Sequence, residues 1–296
     1  MTRRELAGVF APVTTPFDPA TGDVAPVPFR QNLTRLLADG LDGVVVAGST
    51  GEAPLLDPDE QRALVEWARE AIGDAAWLIA GTGAESTRQA IALTRAAGTA
   101  GAHAALVRPP GYFGAAHSAK SLADYFRAVA DASPIPILIY NIPKYTHLPL
   151  PAGLMQELSG HERIVGVKDS SGDFANLAAY REAAPNWTVF VGSGSLLHPG
   201  LELGCQGGIV GVACFAARLC ADLLAAHRAG DRAAAQALHE RLGPLDKEIV
   251  GKRGPAGVKA AMDAVGGGLY GGPVRPPLAA LSPADREHVA ALVRGD

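Results

Sequence analysis

Ile164-Val165-Gly166-Val167-Lys168-Asp169-Ser170 is a short β-branched apolar run that ends in a lysine and passes at once into turn residues. Its apolar residues do not alternate with polar ones, the pattern of a strand covered on both faces. Similar runs lie at Gly8–Thr14, Gly43–Ala47, Trp77–Ala80, Ala104–Val107, Ile135–Tyr140, Thr188–Val191 and Gly208–Val212. Between them come longer stretches of helical pattern: Phe29–Ala38, Pro58–Ile72, Ser86–Ala100, Ser118–Ala130, Leu150–Leu158, Phe174–Ala184, Leu196–Leu203 and Arg218–Arg228. Eight strand–helix units at this spacing predict an α/β chain folded as a (β/α)₈ TIM barrel, typically ~250 residues long. A doubly wound sheet is the alternative. Its fingerprint is poorly met, because Gly81-Thr82-Gly83-Ala84-Glu85-Ser86 lacks the third glycine and follows the third strand.

The barrel accounts for residues 1–230, and residues 231–296 read as a helical extension packed on it. In that extension Asp231–Leu242 is Ala-rich and amphipathic, Pro255–Ala264 follows a Gly-Pro start, and Pro283–Arg294 opens behind the N-cap candidate Ser282. Gly266–Pro277 is a Gly/Pro loop, and no linker marks off a second independent domain. With 296 residues and 48% hydrophobic content the chain can fill one large core. A net charge of −4 and 6% aromatic residues argue against a nucleic-acid or membrane-surface partner. Met1-Thr2-Arg3-Arg4-Glu5-Leu6 is followed by no apolar secretory core, and no stretch reaches the ~20 apolar residues of a bilayer span. The expectation is a cytoplasmic enzyme, with Cys205, Cys214 and Cys220 as buried thiols.

In such a barrel the chemistry sits at the C-terminal ends of the strands. A free lysine has a pKa of about 10.4, so a desolvated strand end is one of the few places where Lys168 could act as a neutral nucleophile. The plain alternative is an ammonium that snorkels to water. Strand two ends in Gly48-Ser49-Thr50-Gly51-Glu52, whose hydroxyls and backbone N–H groups suit a small carboxylate, or simply make a turn and an N-cap. Strand five ends in Tyr140-Asn141-Ile142-Pro143, where Tyr140 is either a proton relay or a rim aromatic. Strand seven ends in Gly192-Ser193-Gly194-Ser195, again able to hold an anion but not a nucleophile elbow. Arg108, after strand four, is a second carboxylate contact or an exposed ion pair. The eight histidines show no HxH or HExxH spacing, so no catalytic metal is expected. An amine, a phenol and anion-binding hydroxyls together match Schiff-base chemistry on a 2-oxo acid.

Gly8…Thr15-Pro16-Phe17, Gly48-Ser49-Thr50-Gly51-Glu52, Tyr140-Asn141-Ile142-Pro143 and Gly166-Val167-Lys168-Asp169-Ser170-Ser171-Gly172 resemble the dihydrodipicolinate synthase/N-acetylneuraminate lyase family. Ala80–Thr87, Gly254–Lys259 and Tyr270–Leu278 look most like its 4-hydroxy-2-oxoglutarate aldolases. The resemblance implies an imine between Lys168 and pyruvate or another 2-oxo acid, and no cofactor beyond that covalent adduct. It implies that Tyr140 shuttles protons with its hydroxyl held by Thr50, and that Ser49 and Thr50 grip the C1 carboxylate. Main-chain groups of Gly192 and Ile209 would line the same pocket. Tyr112 is the candidate for a tyrosine offered across a subunit interface, with Phe113 as the competing match, and the implied assembly is a homotetramer of tight dimers. Two residues depart from the family pattern: Tyr145 stands where lysine-pathway synthases carry an arginine, and Cys214 stands where many members have an asparagine.

The first expectation for substrate is 4-hydroxy-2-oxoglutarate, cleaved to pyruvate and glyoxylate. The alternatives are dihydrodipicolinate synthesis from pyruvate and aspartate semialdehyde, sugar-acid aldolase or dehydratase chemistry, and a non-catalytic 2-oxo-acid-binding protein. Arg108, Lys144 and His147 are candidate contacts for a distal carboxylate or hydroxyl.

Overall fold

A computed structural model describes residues 5–295, so the Met1–Arg4 portion of the N-terminal reading lies outside the described residues. Eight parallel strands close on themselves in chain order: β1 (Gly8–Pro12), β2 (Gly43–Val46), β3 (Trp77–Gly81), β4 (Ala104–Val107), β5 (Ile137–Asn141), β6 (Ile164–Asp169), β7 (Thr188–Val191) and β8 (Gly207–Ile209). β8 pairs back onto β1 through Gly8↔Gly207, Val9↔Gly208 and Phe10↔Ile209. Closure explains why the strand sequences lack alternation. Inward residues such as Phe10, Val45, Ile79, Leu138 and Phe190 fill the barrel, while Val9, Val44, Leu78, Ile139 and Val189 pack under the helices.

Helix starts follow the sequence signals. Asp57 and Glu60 form a reciprocal capping box for Pro58–Ile72, and Ser86, Ser118, Asp173, Asp231 and Ser282 each cap a helix through a side-chain oxygen. The expected strand at Gly208–Val212 stops at Ile209, because Gly211–Cys214 tightens into a 3₁₀ turn. β5 starts two residues later than its apolar run suggests, after Pro136, which has no N–H to give a ladder.

Beyond the barrel come helices Arg232–Leu245, Lys252–Val265 and Pro283–Arg294. A six-residue π-helical segment, Asp246–Gly251, joins the first two, and Gly254 kinks the second with a φ of 55° that glycine adopts freely. Leu242, Ile249, Val258, Met262 and Val289 belong to the same buried cluster as the barrel residues. No described helix is long and apolar enough to cross a membrane.

Candidate active site

The pleat of β5 and β6 decides which side chains meet inside the barrel. Tyr140 stands opposite Lys168, and Asn141 opposite Asp169. Successive side chains on a strand point to opposite faces, so the first pair looks inward and the second outward. Lys168 is only 4% exposed, and its Nζ lies 4.2 Å from the centre of the Tyr140 ring. It enters no ion pair among the described residues, so the strand end does not snorkel.

On the outward side Asn141 Nδ2 donates to Asp169 Oδ1 at 2.7 Å and Asn141 Oδ1 accepts from Leu150 N at 3.1 Å. Ser171 adds two more bonds to the same carboxylate, through its N–H and its hydroxyl. Burial holds the Asp169 carboxyl above the ordinary aspartate range, against the pull of the Ser171 and Asn141 hydrogen bonds.

The loop after β2 is braced from the C-terminal extension. Ala47 and Glu52 both have left-handed backbone, with φ of 51° and 60°, a conformation non-glycine residues hold only where their surroundings enforce it. Glu52 is buried and pairs with the equally buried Lys259 at 2.6 Å, while Arg275 N donates to Glu52 Oε2 at 2.8 Å. The Arg275 guanidinium forks onto Glu60 at 2.6 and 2.7 Å and stacks 4.3 Å from the centre of the Phe17 ring. Burial lowers the Lys259 pKa, an effect Glu52 opposes. Thr15 Oγ1 donates to Gly51 O at 2.7 Å, fixing the turn between Ser49-Thr50 and Glu52.

Ser49, Thr50, Tyr140, Lys168 and Gly192 line one cavity of about 200 Å³, roofed by Val250, Gly254, Pro255 and Val258. That is below the ~300–1,000 Å³ of sites for drug-sized ligands and suits a molecule of few atoms. Gly192 has no room for a side chain, since a Cβ would stand 2.0 Å from Ser170 Oγ and 2.5 Å from Asp169 O.

Several expectations are corrected. The β7 loop does hold an anion, but it is the chain's own: Asp246 Oδ2 accepts from Ser193 Oγ and Ser195 N, both at 2.9 Å. Sequence reading missed Asp246, which lies 51 residues from Ser195. Ile209 is fully buried in the barrel interior, and Gly211 forms the β8 edge of the cavity. The Tyr140 hydroxyl makes no hydrogen bond to Thr50 among the described residues. Arg108 takes the ion-pair alternative, bonding Glu85 at 2.8 Å, and Lys144 Nζ donates to Gly251 O at 2.6 Å. Tyr112 is 83% exposed and Phe113 70% exposed, edge to face with each other and absent from the Lys168 cavity of their own chain. Tyr112 borders a wider hollow of about 610 Å³ with Tyr145 and His147. Cys214 is fully buried and donates from Sγ to Pro12 O at 3.2 Å, which gives a thiol a use at that position; burial pushes its pKa up to about 12.

The sequence pattern of the dihydrodipicolinate synthetase family matches residues 5–295. The chain belongs to that family. It is 36% identical over 287 residues to 4-hydroxy-tetrahydrodipicolinate synthase of Moorella thermoacetica, covering 97% of each chain. It is also 37% identical to an uncharacterized DapA-like lyase of Halobacterium salinarum, across 95% of this chain and 91% of that one. Among solved structures, the family's prophage protein YagE of E. coli K12, in complex with pyruvate, superposes with a TM-score of 0.93 at 28% identity over 99% of both chains. Dihydrodipicolinate synthase DapA-2 of Bacillus anthracis does so with a TM-score of 0.93 at 27% identity, again over 99% of both. As a member of the dihydrodipicolinate synthetase family, this chain is an enzyme of the carbon–carbon lyase type.

Proposed function

We propose that the chain joins pyruvate to aspartate semialdehyde through a Schiff base on Lys168, as a 4-hydroxy-tetrahydrodipicolinate synthase. The observation that carries the chemistry is the buried Lys168 amine 4.2 Å from the Tyr140 ring, both lining one cavity. The relatives named for this synthase favour it over the 4-hydroxy-2-oxoglutarate cleavage expected first from the C-terminal stretches.

Lys168 Nζ adds to the C2 carbonyl of pyruvate, and the carbinolamine loses water to leave an iminium. Tyr140 carries protons to and from the oxygen that departs. Ser49 and Thr50 hold the C1 carboxylate, and the Gly192 main chain closes the wall behind it. Loss of a C3 proton gives an enamine, whose C3 attacks the aldehyde carbon and forms the new C–C bond. The amine carried by the aldehyde substrate then adds to the product iminium and expels the Lys168 amine, closing the ring as a cyclic imine and freeing Lys168. No group other than this covalent imine is needed for the electron flow. The exposed Tyr112–Phe113 pair is the surface proposed to meet a neighbouring subunit in a homotetramer, and the proposed compartment is the cytoplasm.

Tyr145 favours a second reading. It replaces the arginine with which lysine-pathway synthases hold the aldehyde's carboxylate, and burial raises its pKa and keeps the phenol neutral. The same lysine run in reverse would cleave the C3–C4 bond of a 4-hydroxy-2-oxo acid, sending the electron pair to the iminium nitrogen and releasing an aldehyde.

Borohydride reduction in the presence of pyruvate tests the shared chemistry. A mass increment on the peptide holding Lys168 supports it, and an unlabelled peptide overturns it. Condensation of pyruvate with aspartate semialdehyde, run beside pyruvate release from 4-hydroxy-2-oxoglutarate, then decides between the two reactions.

A further inference from the structure

On the outer layer of the barrel, away from the Lys168 cavity, the helices after β7 and β8 converge on the first helix of the C-terminal extension. His198 and Glu202 stand one turn apart on helix Leu197–Glu202 and so share a face. His227 lies in the last turn of helix Ala217–Arg228, with Nδ1 3.1 Å from Glu202 Oε1. One ligand atom from each of these three residues falls within 4.8 Å of the other two.

Glu202 and His227 alone would make an ordinary surface ion pair. His198 does not fit that explanation. It is 8% exposed, and its Nδ1 is buried with no hydrogen-bond partner among the described residues. Buried polar atoms in folded proteins are nearly always paired, so an orphaned imidazole nitrogen beside a second imidazole and a carboxylate calls for a partner, and with the proton on Nε2 its lone pair can bind a metal ion. The His239 ring, 5.8 Å from that of His198, contributes another buried and unpartnered Nδ1 from helix Arg232–Leu245.

We propose that His198, Glu202 and His227 bind one divalent transition-metal ion of the zinc type. Two imidazoles and one carboxylate are the donor set of borderline ions and not of calcium or magnesium, which take oxygen ligands. Tetrahedral zinc, with bonds of 2.0–2.2 Å, holds its donors about 3.3 Å apart. The exposed Glu202 and half-buried His227 can close that distance by side-chain rotation onto the fixed His198. Arg232 Nε, 3.7 Å from Glu202 Oε2, is on an 85% exposed side chain free to swing away. Water or His239 completes the shell. The ion pins the helix that follows the Gly192–Ser195 loop to the helix that follows β8, a structural clip with no part in the chemistry at Lys168.

Cobalt(II) titrated into the full chain, stripped beforehand with a chelator, tests the site. One equivalent should produce the visible absorption of a tetrahedral nitrogen–oxygen site, bleached by zinc, and zinc should raise the melting temperature. His227→Gln and Glu202→Gln alter only partly or wholly exposed side chains. Each should weaken binding by at least about tenfold, while borohydride trapping at Lys168 proceeds as in the parent chain. No absorption band and no zinc-dependent change in melting would overturn the proposal. Equal affinity in both variants would do the same, since it would place the ion elsewhere.

Discussion

Asn141 donates a 2.7 Å hydrogen bond to Asp169 on the outward side of the same two strand ends that present Tyr140 and Lys168 inward. The pair is a rivet: it fixes the relative height of β5 and β6 at the point where the amine and the phenol must face each other. Asn141→Ala removes the rivet without touching the cavity wall. The protein should still trap pyruvate, but kcat should fall by about 10²-fold, the scale of a sub-ångström to ångström misplacement of reacting groups. An unchanged kcat would show that β5 and β6 keep their register without it.

Tyr140→Phe keeps the ring against Lys168 and removes only the hydroxyl. Loss of a general acid–base group lowers rates by roughly 10²–10⁴-fold. The expected result is a fall of that size in kcat with Lys168 still labelled by borohydride at long times. A variant with parent activity would take Tyr140 out of the proton path.

Lys259→Met leaves the buried Glu52 carboxylate without its cation, with the Arg275 N–H as its remaining partner. Breaking a buried pair from one side costs about 3–5 kcal/mol, which in a chain of this size should lower the melting temperature by roughly 10 °C. Adding Glu52→Gln to the same variant should recover part of the loss. A double variant no more stable than the single one would show that the carboxylate was not the source of the cost.

The Glu60–Arg275 fork makes stability sensitive to acid. The Arg275 hydrogen bonds hold Glu60 below the ordinary glutamate range, so the folded chain binds this proton less tightly than the unfolded chain does. The fork's contribution is therefore fully present above the ordinary glutamate value of 4.5 and is lost as pH falls from there through the lower value of the folded chain. Melting curves of the parent and of Glu60→Gln should differ at pH 7 and converge as the acid range is entered. A constant gap across that range would contradict this assignment.

Much of the fold was legible because closure of a barrel leaves a plain trace: every strand must be apolar on both faces, and every connection must be a helix. Lys168 and Tyr140 were legible for the same reason, since strand ends can be counted. Asp246 and the His198 cluster were not. Asp246 reaches the β7 loop through a π-helical segment that no hydrophobic period announces, and the cluster joins helices whose histidines share no spacing in sequence. Arg275 was read within the Gly/Pro loop and the Tyr270–Leu278 resemblance, without a role of its own; that role comes from bonds to Glu60 across 215 positions. The strand expected to reach Val212 ends at Ile209 because the 3₁₀ turn at Gly211–Cys214 has no clear signal in the apolar run Gly208–Val212.

The long reach of Lys259 and Arg275 has a consequence for the order in which the enzyme is made. A polypeptide leaves the ribosome N-terminus first, so the loop carrying Ser49 and Thr50 emerges more than 200 positions ahead of the arginine that clamps it. All eight strands, Lys168 included, are available before the Ser49–Thr50 loop has its brace. A chain cut short after the barrel would display the reactive amine beside an unsecured loop. The brace is thus made after the barrel it secures, and a chain without it holds Lys168 beside a loop that lacks its clamp.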